Sequence, residues 1–225
     1  MFIIAANWKM NGDVAFARQY ATALENFTSK AEVIILPPFP LLSALKGNFK
    51  TGGQNCFAGE KGAYTGEVSP YLLKDIGCEY VLLGHSERRE MGETSELVFA
   101  KAEVAHKAGL KTIICAGEKS GENFEKIIFT QLDKSIPYSA TVANTIIAYE
   151  PVWAIGSGIT PTSAEISERH KAINDKYGFK TIYGGSVKAD NASEISNLDN
   201  VNGLLVGGAS LDVEQFKLLI TRITK

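Results

Sequence analysis

Short apolar runs recur along the whole chain, each closed by glycine or polar residues. Phe2–Asn7, Glu32–Leu36, Gly52–Asn55, Tyr80–Gly84, Lys111–Cys115, Thr145–Tyr149, Thr181–Gly184 and Gly203–Gly207 are too short for helices and mostly rich in Ile, Val and Leu. Near-continuous hydrophobicity in such short runs is the pattern of parallel strands covered on both faces. Between the runs, apolar positions recur three and four apart. Asp13–Phe27 sets Val14, Ala17, Ala21, Leu24 and Phe27 on one side. Glu96–Ala108 does the same with Leu97, Ala100, Val104 and Ala108, and Asn123–Leu132 with Phe124, Ile127, Ile128 and Leu132. These are amphipathic helices. Asp13, Thr94 and Thr162 (with Glu165 three residues on) read as N-caps, and Gly109 and Gly178 stand where C-terminal glycines belong.

Strand and helix thus alternate from end to end, and no Pro/Ser-rich linker or composition break marks a boundary. Alternation of this kind implies right-handed βαβ units around a parallel sheet. Eight units close a (β/α)₈ barrel, whereas fewer leave an open doubly wound sheet. An open dinucleotide-binding sheet should carry GxGxxG after its first strand. Here that strand runs into Asn-Trp-Lys-Met-Asn-Gly, and no GxxxxGK[ST] occurs anywhere. Gly156-Ser157-Gly158 lacks the third glycine of the fingerprint. The expectation is one α/β domain over residues 1–225, a (β/α)₈ TIM barrel of eight parallel strands surrounded by helices. At 225 residues its eight units average about 28 each and the whole falls under the roughly 250 residues typical of such barrels, so trimming is expected in the helices and outer connections, notably between Glu150 and Tyr183.

Composition narrows the function classes. A net charge of −2 with no Lys/Arg cluster gives no footprint for nucleic acid or a membrane surface. No apolar stretch approaches a membrane span, and the start, MFIIAANWKM, lacks the basic region and cleavage pattern of a signal peptide. Cys56, Cys78 and Cys115 form no CxxC, which suits free thiols in a reducing compartment, and a cytoplasmic location is expected. His85, His106 and His170 lie far apart in sequence and suggest no metal site.

In a parallel barrel the chemistry stands where the strands end. Those ends offer Asn7 and Lys9, then His85-Ser86-Glu87, Cys115, Glu150, Gly184-Gly185-Ser186 and Gly207-Gly208. Each has a plain structural reading. Lys9 suits a sheet rim, His85 a satisfied structural histidine, and the glycine pairs tight turns; Cys115, Trp153 and Tyr183 suit packing. Glu150 lies between Ile-Ile-Ala-Tyr and Pro-Val-Trp-Ala-Ile. A carboxylate there is either buried with a partner or held in a pocket that raises its proton affinity. A barrel brings all these ends around one mouth, and glycine turns after the seventh and eighth strands are where a phosphate binds to backbone N–H groups.

Asn7-Trp8-Lys9-Met10-Asn11, Gly84–Arg89, Ala148–Gly156, Tyr183–Val187 and Leu205–Ser210 resemble, in order, the signature segments of the triosephosphate isomerase family. That family interconverts dihydroxyacetone phosphate and D-glyceraldehyde 3-phosphate in glycolysis and gluconeogenesis, without a cofactor. The resemblance implies Glu150 as the base, His85 as the electrophile, and Lys9 with Asn7 in support at the substrate oxygens. It implies phosphate contacts from Gly156, Ser186, Gly207 and Gly208, with Glu87 and Cys115 behind the reacting groups. Pro151–Pro161 resembles the family's closing lid, but Ile159 and Pro161 depart from its hinge, where a lysine and an alanine are common. A stiffer hinge, altering turnover more than chemistry, is expected. Gly59–Glu67 resembles the loop that enters a second subunit with Thr65 at its tip, so a homodimer is expected. Two rivals are a Schiff-base phosphosugar aldolase, which would need Lys9 desolvated, and a silent scaffold, which would need no buried acid beside an imidazole.

Overall fold

Alternate strand residues divide between two cores, and that division builds the molecule. The computed structural model describes residues 1–155 and 160–223. In it eight parallel strands pair in sequence order and the last returns to the first. They are β1 (Ile3–Asn7), β2 (Glu32–Leu36), β3 (Lys50–Gly53), β4 (Tyr80–Leu83), β5 (Lys111–Ala116), β6 (Thr145–Tyr149), β7 (Lys180–Tyr183) and β8 (Gly203–Val206). The helices are α1 (Val14–Leu24), α2 (Pro70–Asp75), α3 (Ser86–Glu90), α4 (Ser95–Lys107), α5 (Phe124–Ser135), α6 (Ser163–Tyr177), α7 (Ala189–Asn197) and α8 (Val213–Thr221). Closure shows in the register of β1, which pairs β2 from Ile3↔Glu32 to Asn7↔Leu36 and β8 from Ile3↔Gly203 to Ala6↔Val206.

Ile3, Ala5, Ile34, Leu36, Tyr80 and Leu82 belong to the inner cluster that fills the barrel, joined by Ile113, Cys115, Ile146, Ala148, Ile182 and Leu205. Their strand neighbours Ile4, Ala6, Ile35, Val81, Leu83 and Ile114 belong to the outer cluster beneath the helices. Burying one such Ile or Leu side chain stabilises the fold by about 1.5–3 kcal/mol. Helix starts follow the sequence. Asp13 accepts the Phe16 N–H at 2.7 Å, and Thr94, Asn123 and Thr162 cap α4, α5 and α6. Thr162 and Glu165 form a full capping box, and Gly178 closes α6 in the left-handed region at φ 71°.

One expectation needs correction. The third strand lies two residues earlier than Gly52–Asn55, because Lys50 and Thr51 take the ladder positions beside Ile34 and Ile35. Gln54 and Asn55 leave the sheet for other partners, described below. Between Glu150 and Tyr183 the chain builds α6 of 15 residues, whereas α2 has 6 and α7 and α8 have 9 each. Gly156 and Ile159, which carry one phosphate assignment and one hinge departure, lie outside the described residues. No described helix is long and apolar enough to cross a membrane.

Candidate active site

Continuing the inward series to the end of β1 and just past the end of each other strand gives Asn7, Pro38, Gln54, Gly84, Gly117, Glu150, Gly184 and Gly207. Half of that ring is glycine, so the side chains in it have room. The mouth holds a cavity of about 410 Å³ lined by Asn7, Lys9, His85, the turns at Gly184-Gly185-Ser186 and Gly207-Gly208, and Ile155. A small anion entering it would meet the Lys9 ammonium, with Lys188 also on the lining, and turns rich in backbone N–H donors.

Glu150 is 1% exposed. Its Oε2 accepts the Ser86 N–H at 2.9 Å, and its Oε1 stands 3.2 Å from His85 Nε2 without a well-aligned hydrogen bond. The carboxylate is thus tied by one oxygen and free at the other. Glycines flank it: a Cβ on Gly184 would lie 3.0 Å from its Cγ, and one on Gly117 would meet its carbonyl. Cys115 packs inside the barrel below. Burial first, and then the Glu150 charge, push its thiol well above the ordinary range, so it is a neutral neighbour.

His85 caps α3, and its Nδ1 accepts the Glu87 N–H at 3.3 Å. A nitrogen that accepts carries no proton, so this bond assigns the ring hydrogen to Nε2, the atom facing Glu150 and the mouth. The first turn of α3 starts directly after His85.

Lys9 adopts φ 54°, a left-handed conformation uncommon outside glycine. Its surroundings hold it there. Asn7 Oδ1 accepts the Lys9 N–H at 3.0 Å, and Gln54 Nε2 donates to the Lys9 carbonyl at 2.8 Å and the Leu36 carbonyl at 2.7 Å. Next to it, Trp8 is fully buried, edge-on to Phe16 and Tyr20 at centroid distances of 4.9 and 4.8 Å. The strained turn aims Lys9 Nζ across the mouth to Glu87 Oε1 at 2.6 Å, while Glu87 Oε2 lies 3.6 Å from His85 Nδ1. Glu87 therefore joins the lysine to the imidazole. Being half exposed, the ion pair contributes little stability, about 0–1 kcal/mol, and a competing anion can displace it.

Asn7, Lys9, His85, Ser186, Gly207 and Gly208 thus converge on one cavity, with Glu150 immediately behind His85. Thr65 is exposed in the segment between β3 and α2 and does not line this cavity. Sequence reasoning missed Gln54, which the period-two count from Gly52 would have found. It also missed Glu93, whose Oε2 accepts the Gly84 N–H at 3.0 Å, and Arg89, whose Nε donates to the Gly84 carbonyl at 2.8 Å. Among the described residues no group of three or more His, Cys, Asp or Glu is placed to hold a metal ion.

A parallel barrel whose mouth joins a carboxylate, an imidazole N–H and an ammonium to glycine turns is a phosphate-site barrel equipped for proton transfer. Comparison with known proteins makes this specific. The family model for triosephosphate isomerase matches residues 2–223, and the chain belongs to that family. Relatives include the triosephosphate isomerase of Afipia carboxidovorans, 44% identical over 95% of this chain and 94% of its own length. That of Rhodopseudomonas palustris is 42% identical over 95% and 94%, and that of Nitratidesulfovibrio vulgaris 42% over 97% and 98%.

Proposed function

We propose that this chain interconverts dihydroxyacetone phosphate and D-glyceraldehyde 3-phosphate by proton transfer through an enediolate. The observation that carries the reading is the 3.2 Å approach of His85 Nε2 to the buried, half-free carboxylate of Glu150, beside a cavity with an ammonium on one wall and glycine turns on another. The chemical problem is a weakly acidic C–H next to a carbonyl, which needs a base at carbon and a donor at oxygen. Glu150 removes the proton from one carbon, and the electrons of the broken C–H bond pass to the carbonyl oxygen. His85 Nε2–H and Lys9 Nζ stabilise the oxyanion, with Asn7 supporting the Lys9 turn. The hydroxyl proton on the deprotonated carbon's oxygen then passes to this oxyanion by way of His85 Nε2. Glu150 returns its proton to the former carbonyl carbon as the deprotonated oxygen becomes the new carbonyl. The Glu150 carboxylate first leaves the Ser86 N–H, and the missing side chain at Gly184 gives its Cγ room to turn.

The phosphate lies at Ser186, Gly207 and Gly208, with Gly156 joining from the lid. Glu87 holds Lys9 and His85 in register, and Cys115 packs beneath the base. The aldolase alternative loses support because a Schiff-base lysine must be desolvated and neutral, whereas Lys9 is ion-paired with Glu87. A scaffold has no use for a buried carboxylate with a free oxygen.

The active unit we propose is a homodimer of cytoplasmic chains. A groove of about 360 Å³ borders the site, lined by Met10, Phe39, Pro40, Gln54 and Met91 beside Asn7 and His85. Met10 is 94% and Met91 71% exposed, an unusual amount of apolar surface next to catalytic groups. The Gly59–Glu67 loop of a second copy, with Thr65 at its tip, fits that groove. A coupled assay for triose phosphate interconversion tests the function. The wild type should be active and Glu150→Gln slower by about 10²–10⁴-fold with its fold intact. An inactive wild type would refute the activity, and an undiminished Glu150→Gln would refute the base.

A further inference from the structure

Arg89 is a half-buried cation whose side-chain bonds all leave its own helix or reach back to the strand end before it. It sits on α3, four residues after His85, and its guanidinium turns inward beneath the ends of two strands. Nε donates to the Gly84 carbonyl at 2.8 Å, and Nη2 donates to the Cys115 carbonyl at 3.0 Å and to Ser135 Oγ at 3.3 Å. Nη1 donates to Ser95 Oγ at 2.9 Å. All four acceptors are neutral. The carboxylates nearby are held by other cations, Glu87 by Lys9 and Glu93 by Arg88 and Lys101. A guanidinium offers a rigid fork, and here it spans Gly84, between the end of β4 and His85, and the inward residue Cys115 of β5. Gly84 makes this possible: its φ is 71°, and a Cβ there would stand 2.8 Å from Nη2.

The groups that face Glu150 are few. From α3 come the His85 ring and the Ser86 N–H, and from β5 the neutral Cys115 thiol. β7 and the segment after β5 present only Gly184 and Gly117. Arg89 is a half-buried cation that interacts electrostatically with Glu150 and, more weakly, with Glu93 and Glu96, while partial burial lowers its own proton affinity. A cation drawn partly out of water is offset by an anion nearby.

We infer that Arg89 is a positioning residue for the catalytic base, clasping the ends of β4 and β5 and supplying the fixed positive charge that faces the Glu150 carboxylate. The inference rests on the proposed isomerase activity. It separates two contributions, the geometry of the fork and the charge. Arg89→Lys keeps the charge but loses the fork, whereas Arg89→Met loses both.

The experiment measures kcat, KM and the pH profile of kcat/KM for wild type, Arg89→Lys and Arg89→Met, with folding followed by circular dichroism. Arg89→Lys should lose about tenfold in kcat with its acidic limb in place. Arg89→Met should lose more, and its acidic limb should move to higher pH as the cation near the carboxylate disappears. A purely structural role would lower the rate and leave the limb still. An Arg89→Met limb coincident with wild type, or wild-type turnover in Arg89→Lys, would overturn the inference. If Arg89→Met does not fold, Arg89→Lys decides alone: full turnover contradicts the clasp, and a displaced limb contradicts the charge. An inactive wild type would instead defeat the functional reading beneath it.

Discussion

The backbone of Glu150 passes so close to Gly117 that a Cβ at position 117 would lie 2.1 Å from the Glu150 carbonyl oxygen. The contact is held by the parallel ladder, in which the Glu150 N–H donates to the Ala116 carbonyl at 2.8 Å. On its other side Gly117 is pinned by Gln131, which accepts its N–H at 3.0 Å and donates to its carbonyl at 2.9 Å. Neither partner can retreat. Gly117→Ala should therefore cost about 1–3 kcal/mol by forcing backbone shifts. Since the strand carrying the base must move, kcat should fall while KM changes little. Thermal unfolding with steady-state kinetics checks both, and an Ala variant matching wild type in each would show that the strand end has slack.

Gln54 governs Lys9 through the backbone alone. Its side-chain amide satisfies the Lys9 and Leu36 carbonyls, and the second of these also accepts the Trp8 N–H at 3.1 Å. Gln54→Met fills similar space and removes the donors. An unsatisfied carbonyl costs about 1–3 kcal/mol, so the left-handed turn at Lys9 should relax and carry the ammonium away from the mouth. The expected outcome is a kcat/KM lower by about tenfold or more, with KM for the phosphorylated substrate raised. Unchanged KM and kcat would mean that Asn7 alone holds the turn.

The architecture was legible in the sequence because two periods coexist along it. Runs too short for helices alternate with helical spacing, and the inward parity that ends in Asn7, Glu150, Gly184 and Gly207 follows from the strands themselves. Polar residues aimed into the mouth were legible for the same reason. Residues acting through main-chain acceptors were not. Nothing in Glu-Arg-Arg-Glu distinguishes Arg88, which is half-buried beside Glu93, from Arg89, which reaches the carbonyl of Cys115 on the next strand. Lys101 sits on α4 like any surface lysine, yet it is 4% exposed, paired with Glu93 and donating to Asn55 Oδ1 at 2.8 Å. Burial of a charge depends on where other elements arrive, and local pattern carries no record of that. Gln54 was hidden by a two-residue error in the third strand, which placed it in the ladder rather than one step beyond.

His170 makes stability sensitive to acid at a point far from the mouth. It is fully buried on α6, between the rings of Tyr149 and Tyr183 at 5.8 and 6.1 Å, and neither ring nitrogen makes a well-aligned hydrogen bond. Burial pulls its pKa from the ordinary 6.5 down to about 4, and the carbonyls of Asn200 and Thr181 offset this only in part. In that interval the unfolded chain takes up a proton that the folded chain refuses. Stability is therefore unaffected above neutral pH, falls as the pH drops below about 6.5, and levels off for this group near 4. The full loss is about 3 kcal/mol. His106 shifts in the same direction but is only partly buried, so its contribution is smaller. A His170→Leu variant keeps an apolar side chain in the site and has no proton to gain. Denaturant unfolding at pH 7.5 and pH 5 should show a smaller acid-induced loss in this variant than in wild type. Equal losses in both proteins would place the acid sensitivity in other groups.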